Sequence, residues 1–234
     1  MPSKRPPASQ MALTAELVAL CERPVPEPGP RTDVTYFSEA EYLAAAEDLA
    51  AAHGDAPIWV FAYGSLIWNP GFTWDAYRRA ALPGWHRSFS LRQERWRGTP
   101  EQPGLMLALE RGGTCVGIAF RLPQHNRVEE LANLLKREID GVEDMAYLRW
   151  LDIRAEGERH KALIFYADPN GDKAIERPKL ETVAHTLARA CGHLGSGAAY
   201  LHRTVEKLAE HGIHDRNLWR LQEMVAAEIL ALRG

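Results

Sequence analysis

Strand-forming segments are concentrated in the middle of this sequence, with most helix-forming segments on either side, and this order limits the folds open to it. Residues 58–166 contain short apolar runs rich in aromatic and β-branched residues, which are typical of strands. The segments on either side show the periodicity of amphipathic helices. Because regular helices do not separate the predicted strands, a doubly wound parallel sheet is disfavoured. The pattern instead predicts a mixed α/β or α+β domain.

The predicted helices carry their own boundary signals. Ser38 and Glu41 fit a capping box, the alanine-rich run after them favours helix, and Gly54 suits the C-terminal end. Toward the C-terminus, Ser196 and Asp215 are suitable N-caps. The predicted helices lie at residues 38–52, 127–138, 180–190, 197–211 and 215–232, with Gly192 and Gly212 as stops.

The predicted strands include one strongly apolar run and one hairpin. Residues 58–63 form a short aromatic run, as expected of a buried strand. Residues 105–109 and 115–121 flank Gly112-Gly113, and a glycine pair between two apolar runs predicts a hairpin turn. A further strand is predicted at residues 161–166, ended by a turn at residues 168–171.

The first 35 residues predict an extended arm outside the main domain. Seven of the 15 prolines lie in the first 30 residues. Since proline lacks the N–H and fixes φ, residues 24–30 cannot form a helix or a central strand. Residues 11–20 suit a short docking helix, although a partly ordered tail is the plainer interpretation. We therefore predict an arm at residues 1–35 and a single domain at residues 36–234.

Charge and residue types disfavour several functional classes. With 28 Lys and Arg against 31 Asp and Glu, the net charge is -3, so we expect no nucleic-acid partner. The sequence has no apolar run of about 18 residues to span a membrane and no signal-peptide core, so we expect a cytoplasmic protein. Cys21, Cys115 and Cys191 lack CxxC spacing, and the histidines form no metal-binding motif. Neither a disulfide framework nor a metal site is therefore expected.

The junction after the first predicted strand is the first candidate for chemistry. Gly64 directly follows the buried run, and a glycine there lets the backbone turn tightly and approach a ligand. Free backbone N–H groups can hold a carboxylate or a developing oxyanion, and the Ser65 hydroxyl adds a donor. The run is neither a Walker loop nor a nucleophile elbow. An ordinary turn at a strand end is the alternative interpretation.

A carboxylate on the apolar face of a predicted helix is the second candidate. At about 100° per residue, Glu138 falls in line with Leu131 and Leu135, whereas Glu130 points elsewhere. An ionisable group on the core side is costly unless it is paired or functional. Burial moves a carboxyl pKa toward the range of a general base. Two alternatives stay open: the helix ends by Lys136, or Glu138 is paired with a buried arginine.

Residues 87–103 combine arginines with aromatic side chains. Such a set suits the binding of a small acidic substrate, and it can also stack on bases, which the overall charge disfavours. A solvated, salt-bridged pair of strands is the simpler alternative. The arginines are Arg87, Arg92, Arg95 and Arg97, and the aromatic residues near them are Trp85, Phe89 and Trp96.

Four ordered sequence blocks resemble the ChaC-type γ-glutamylcyclotransferases. They are residues 59–68 (WVFAYGSLIW), residues 97–104 (RGTPEQPG), residues 115–123 (CVGIAFRLP) and the Arg137-Glu138 pair that ends the predicted helix. The resemblance covers residues 57–232, so the proline-rich arm lies outside it.

This resemblance implies both a fold and a reaction. The fold is α+β, a small mixed β-barrel surrounded by helices. The reaction cleaves glutathione, a small-molecule substrate, into 5-oxoproline and cysteinylglycine, with no cofactor and no metal. By resemblance, the catalytic glutamate falls on Glu138, the γ-glutamyl-binding loop on Tyr63, Gly64, Ser65 and Leu66, and a C-terminal tyrosine of the family near Tyr200.

Two other functions stay open at this point. Ala62 stands where the family often has glycine, and residues 139–142 (IDGV) replace a Gly-Tyr of the family. These departures leave room for a cyclotransferase that acts on another γ-glutamyl amine or dipeptide. A non-enzymatic regulatory binder that uses the same pocket is the third hypothesis. The binding hypothesis gives no reason for Glu138 to lie on the apolar face of a helix.

Overall fold

Five strands close into a barrel, which confirms the predicted α+β fold. The computed structural model describes residues 11–32, 34–166, 174–175 and 178–233. Around the barrel the strands follow the order β1-β3-β2-β4-β5. Neighbouring strands are antiparallel except β1 and β5, whose parallel pairing closes the barrel and removes its open edges. The strand bounds are β1 (Trp59–Ala62), β2 (Ala76–Gln93), β3 (Gly104–Arg121), β4 (Leu148–Ala155) and β5 (Glu158–Phe165).

The prediction of a hairpin at Gly112-Gly113 is wrong. Both glycines have positive φ, yet β3 continues through them, and the segments before and after them both pair with β2. Opposite the glycines, β2 has its own irregularity, a register shift between Pro83 and Trp85 around Gly84, whose φ is +81°. A glycine pair reverses the chain only when the flanking segments pair with each other, and here both segments pair with β2.

Six helices of the described residues surround the barrel, and the predicted ones are confirmed. Ser38 and Glu41 form both hydrogen bonds of the capping box. Ser196 and Asp215 cap their helices as predicted, whereas Gly192 lies in a short strand after its helix has ended. The bounds are α1 (Ala15–Ala19), α2 (Glu39–His53), α3 (Arg127–Glu138), α4 (Leu180–Leu187), α5 (Gly197–Glu210) and α6 (Arg216–Ala231), and the short strands β6 (Cys191–Gly192) and β7 (Gly195–Ser196) join α4 to α5.

Strand β1 separates two hydrophobic cores. All four of its residues are buried, as predicted. Because side chains alternate along a strand, Val60 and Ala62 enter the larger core, which includes the helices, and Trp59 and Phe61 enter a smaller core of strand residues. The strand predicted at residues 161–166 corresponds to β5. The turn predicted at residues 168–171 lies outside the described residues.

Residues 11–32, which the sequence predicts to belong to an arm, pack against the rest of the described chain. Leu13 is fully buried in the larger core, and its N–H donates to the Oε1 atom of Gln222 in α6 at 2.8 Å. Further along, the Glu22 carboxylate accepts from the Ser196 hydroxyl at 2.7 Å. Arg31 pairs with Asp140 at 3.4 Å. These contacts fasten the arm at three separate places.

Replacing the buried anchor of the arm should lower stability. We expect Leu13→Ala to reduce the free energy of unfolding by about 2–5 kcal/mol, because it leaves a cavity in the core. Leu20→Ala is the matched control, since Leu20 lies on the same arm and is 45% exposed. It should change stability by about 0.5 kcal/mol or less. Urea unfolding measures both, and equal effects would contradict the docking of the arm.

Candidate active site

The YGSL loop (Tyr63, Gly64, Ser65 and Leu66) leaves the end of β1 and enters a single 3-10 turn. In that turn the Ile67 N–H donates to the Gly64 carbonyl at 3.0 Å. A Cβ atom added to Gly64 would lie 2.8 Å from the Tyr200 hydroxyl oxygen. A side chain at this position would therefore force Tyr200 or the backbone to shift.

Tyr200 brings a buried phenol from α5 to this loop. It is 2% exposed, and its ring makes edge contacts with Trp68 and Phe89 at 5.8 and 5.7 Å between ring centroids. Burial raises the pKa of Tyr200, while Arg97 and hydrogen bonding with Ser65 act in the opposite direction. The phenol therefore keeps its proton near neutral pH and can donate a hydrogen bond.

The end of α3 places Arg137 and Glu138 beside the same loop. Arg137 Nη1 forms an ion pair with Glu138 Oε1, and Arg137 Nε donates to the Asn69 carbonyl at 2.6 Å. Burial lowers the pKa of Arg137 to about 10, which leaves it charged at neutral pH. Glu138 is thus paired with a largely buried arginine, one of the two arrangements that the sequence left open. Helix α3 ends at Glu138, so the other alternative, an end by Lys136, is wrong.

The predicted site residues meet in two different ways. Gly64, Ser65 and Tyr200 are in direct contact. Glu138 joins them through Arg137, whose charge acts on Tyr200. The other two residues of the loop have packing contacts, since the Tyr63 hydroxyl donates to the Phe165 carbonyl at 3.0 Å and Leu66 lies in the larger core. Burial raises the pKa of Tyr63.

Arg97 is the member of the arginine-rich segment that reaches this site. It is 7% exposed, and its guanidinium carbon lies 5.7 Å from the centre of the Tyr200 ring and 5.9 Å from that of Trp68. Burial lowers the pKa of Arg97. The other arginines differ: Arg87 is buried beside Asp215 at 3.6 Å, and Arg92 pairs with Glu94 at the surface. The spacing of these arginines in the sequence did not distinguish their environments.

Glu130 does not point away from the core, contrary to the sequence-based prediction. It is 4% exposed and accepts from the N–H and hydroxyl of Thr73 at 2.8 and 2.5 Å. Burial acts to raise the pKa of Glu130, but hydrogen bonds from Thr73, Asn133 and Asn126 outweigh it and the pKa is lowered. This carboxylate fastens α3 to the segment before β2, and its hydrogen-bonding capacity is used in doing so.

Neither a metal-binding cluster nor a membrane-spanning helix occurs in the described residues. No group of three or more His, Cys, Asp or Glu side chains there is placed to hold a metal ion. No helix among the same residues is long and apolar enough to cross a bilayer.

Comparison with known proteins identifies the family. The sequence model of the ChaC-like protein family matches residues 58–228. The glutathione-specific gamma-glutamylcyclotransferase of Escherichia coli (strain K12) is 37% identical over 186 residues, which cover 78% of this chain and 79% of that protein. Glutathione-specific gamma-glutamylcyclotransferase 1 of Danio rerio is 27% identical over 190 residues, 78% of this chain and 95% of that protein.

The fold leads to the same group of proteins. The crystal structure of a yeast gamma-glutamyl cyclotransferase specific to glutathione superposes with a TM-score of 0.65 at 20% identity. The match covers 74% of this chain and 97% of the yeast chain, so the barrel and its helices are shared. Taken with the match over residues 58–228, this places the chain in the ChaC-like protein family.

Proposed function

We propose that this protein is a γ-glutamylcyclotransferase that cleaves glutathione into 5-oxoproline and cysteinylglycine. The observation that carries the proposal is the meeting of the YGSL loop with Tyr200, beside a carboxylate held at the end of α3. The family relatives from Escherichia coli and Danio rerio bear the name of this activity. This arrangement supports a binding loop, a hydrogen-bond donor and a base that act together.

The chemistry needs few groups because the substrate carries its own nucleophile. The α-amine of the γ-glutamyl group has a pKa of about 8 and is largely protonated near neutral pH. Glu138 removes one proton, and the amine then attacks the γ-carbonyl carbon to close a five-membered ring. When the amide C–N bond breaks, Glu138 returns this proton to the departing nitrogen. The ring nitrogen still carries one surplus proton, which the same carboxylate transfers to the freed amine, so that cysteinylglycine leaves as an ammonium. No water, metal or redox cofactor enters this balance.

The loop and Tyr200 have a separate task, which is to orient the substrate and stabilise the transition state. Folding the γ-glutamyl chain so that its amine faces the carbonyl can supply about 7–11 kcal/mol of the barrier. The Tyr200 phenol, whose oxygen takes part in hydrogen bonds with Ser65, is a donor for the tetrahedral oxyanion, worth roughly 3–4 kcal/mol. Arg137 keeps the Glu138 carboxylate in place through their ion pair.

A cytoplasmic location and a small-molecule substrate belong to the same proposal. Glutathione is a thiol, and the three cysteines Cys21, Cys115 and Cys191 are free and buried. Free thiols in protein and substrate are compatible with a reducing compartment. A net charge of -3 gives the chain no basic character for nucleic acid.

The reaction can be tested directly. We expect purified protein incubated with glutathione to release 5-oxoproline and cysteinylglycine in equal amounts, measured by mass spectrometry. A chelator should leave the rate unchanged. A panel of γ-glutamyl dipeptides distinguishes the substrate, because turnover of a dipeptide without turnover of glutathione would favour the alternative cyclotransferase. Absence of 5-oxoproline from every substrate would leave only the binding hypothesis.

The role of Glu138 has its own test. We expect Glu138→Gln to lower kcat by about 10²–10⁴-fold, since an amide cannot accept the proton that the α-amine must lose. Glu129→Gln is the matched control, because Glu129 lies on the exposed face of the same helix. It should keep full activity. If Glu138→Gln turns over as fast as the control, another group is the base.

The contact between Gly64 and Tyr200 predicts a coupling of stability effects. We expect Gly64→Ala to cost about 1–3 kcal/mol of unfolding free energy, because its Cβ would overlap the Tyr200 hydroxyl. In a Tyr200→Phe background that oxygen is gone, so the same change should cost less. Chemical unfolding of both single variants and the double variant measures the difference. Additive costs would show that the two residues are not in contact.

A further inference from the structure

A polar cavity of about 370 Å³ lies between the N-terminal arm and the domain. The arm contributes Glu27 and Pro30, and Tyr36 follows directly after it. The domain contributes Arg95 and His193. A cavity of this size is within the range of small-molecule sites, and one of its walls comes from the segment outside the family match.

Two short stretches of backbone connect residues that line the cavity with residues of the candidate active site. Asp140, which also lines it, follows Glu138 by two residues, so their Cα atoms are at most about 7 Å apart. On another side Arg95 precedes Arg97 by two residues, and Arg97 lies against the Tyr200 ring at 5.7 Å. The cavity and the candidate active site therefore draw their residues from the same two segments, 95–97 and 138–140.

Two groups lining the cavity are suited to bind a polar ligand. Arg95 donates an N–H to the Gly29 carbonyl of the arm, and a guanidinium has five donors in a fork that fits a carboxylate. The Nδ1 atom of His193 is buried and has no hydrogen-bond partner within the described ranges. Since buried polar atoms are normally paired, His193 suits a polar ligand atom at this position.

We propose that this cavity holds the part of the γ-glutamyl peptide beyond the scissile amide, with its terminal carboxylate on Arg95. The inference rests on the proposed function. With the γ-glutamyl group at the YGSL loop, cysteinylglycine continues for two residues, about 7 Å when extended. The Cα atom of Asp140, which lines the cavity, lies within the same distance of the Glu138 Cα atom. The arm is then a specificity element, because Gly29 holds Arg95 and Glu27 sets the charge of the outer wall.

The test compares glutathione with an analogue whose glycine carboxylate is a primary amide. We expect Arg95→Gln to raise KM for glutathione and to lower kcat/KM by about tenfold to a hundredfold, with little change for the amide. Arg92→Gln is the matched control, since Arg92 lies in the same segment but is exposed and paired with Glu94. It should leave both substrates unchanged.

A change in the arm should act in the opposite direction. Glu27→Gln removes a negative charge from the cavity, so it should raise kcat/KM for glutathione by about two- to fivefold and leave the amide unaffected. Both variants keep the whole arm, and their far-ultraviolet circular dichroism and thermal midpoints report folding. No purely structural role of Arg95 predicts a difference between two substrates that share the reacting atoms.

The outcomes separate this inference from the function on which it rests. If neither substrate yields 5-oxoproline with the unaltered protein, the proposed function fails. If 5-oxoproline forms but Arg95→Gln lowers kcat/KM equally for glutathione and its amide, Arg95 only fastens Gly29, and the assignment of the cavity is overturned. An unchanged kcat/KM for both substrates would overturn it as well.

Discussion

The Tyr200 hydroxyl lies so close to Gly64 that a side chain at the end of β1 would have to displace it. This contact joins the barrel to α5, and the other groups of the candidate site are arranged around it. Arg97 lies against the tyrosine ring, and Arg137 adds a positive charge while holding Glu138. Closure of the barrel by β1 and β5 fixes one side of the contact, so the site is built on a rigid frame.

The sequence predicted those features of the fold that depend on neighbouring residues better than those that depend on pairing between distant segments. The capping box at Ser38 and the helix that ends at Glu138 are specified by residues within a few turns, and both have the predicted bounds within one residue. Gly112 and Gly113 illustrate the opposite case. They have the positive φ that a turn requires, but whether the chain reverses there depends on β2. That strand has its own register shift at Gly84, opposite the glycine pair. Pairing between distant segments outweighed the local turn signal.

The candidate site divides in the same way. Periodicity alone singled out Glu138, and the resemblance to the family supplied the YGSL loop and Tyr200. The burial of Glu130 was not predicted because its partner Thr73 lies 57 residues earlier in the chain. A helical wheel shows only an acidic residue off the apolar stripe. Arg97 was not singled out because the packing of α5 and the β6–β7 pair decides which of the four arginines reaches Tyr200, and sequence spacing does not encode that packing.

The proline-rich arm forms one wall of the proposed cavity without taking part in the barrel. Proline prevents the arm from joining the sheet, so its carbonyls are left for side chains, and Gly29 receives Arg95. Anchors on both sides, Leu13 in the core and Arg31 on Asp140, order the segment before any ligand arrives. Ordering in advance reduces the entropy lost on binding. Substitutions in the arm can therefore change what the cavity accepts while the YGSL loop and the reacting groups keep their geometry.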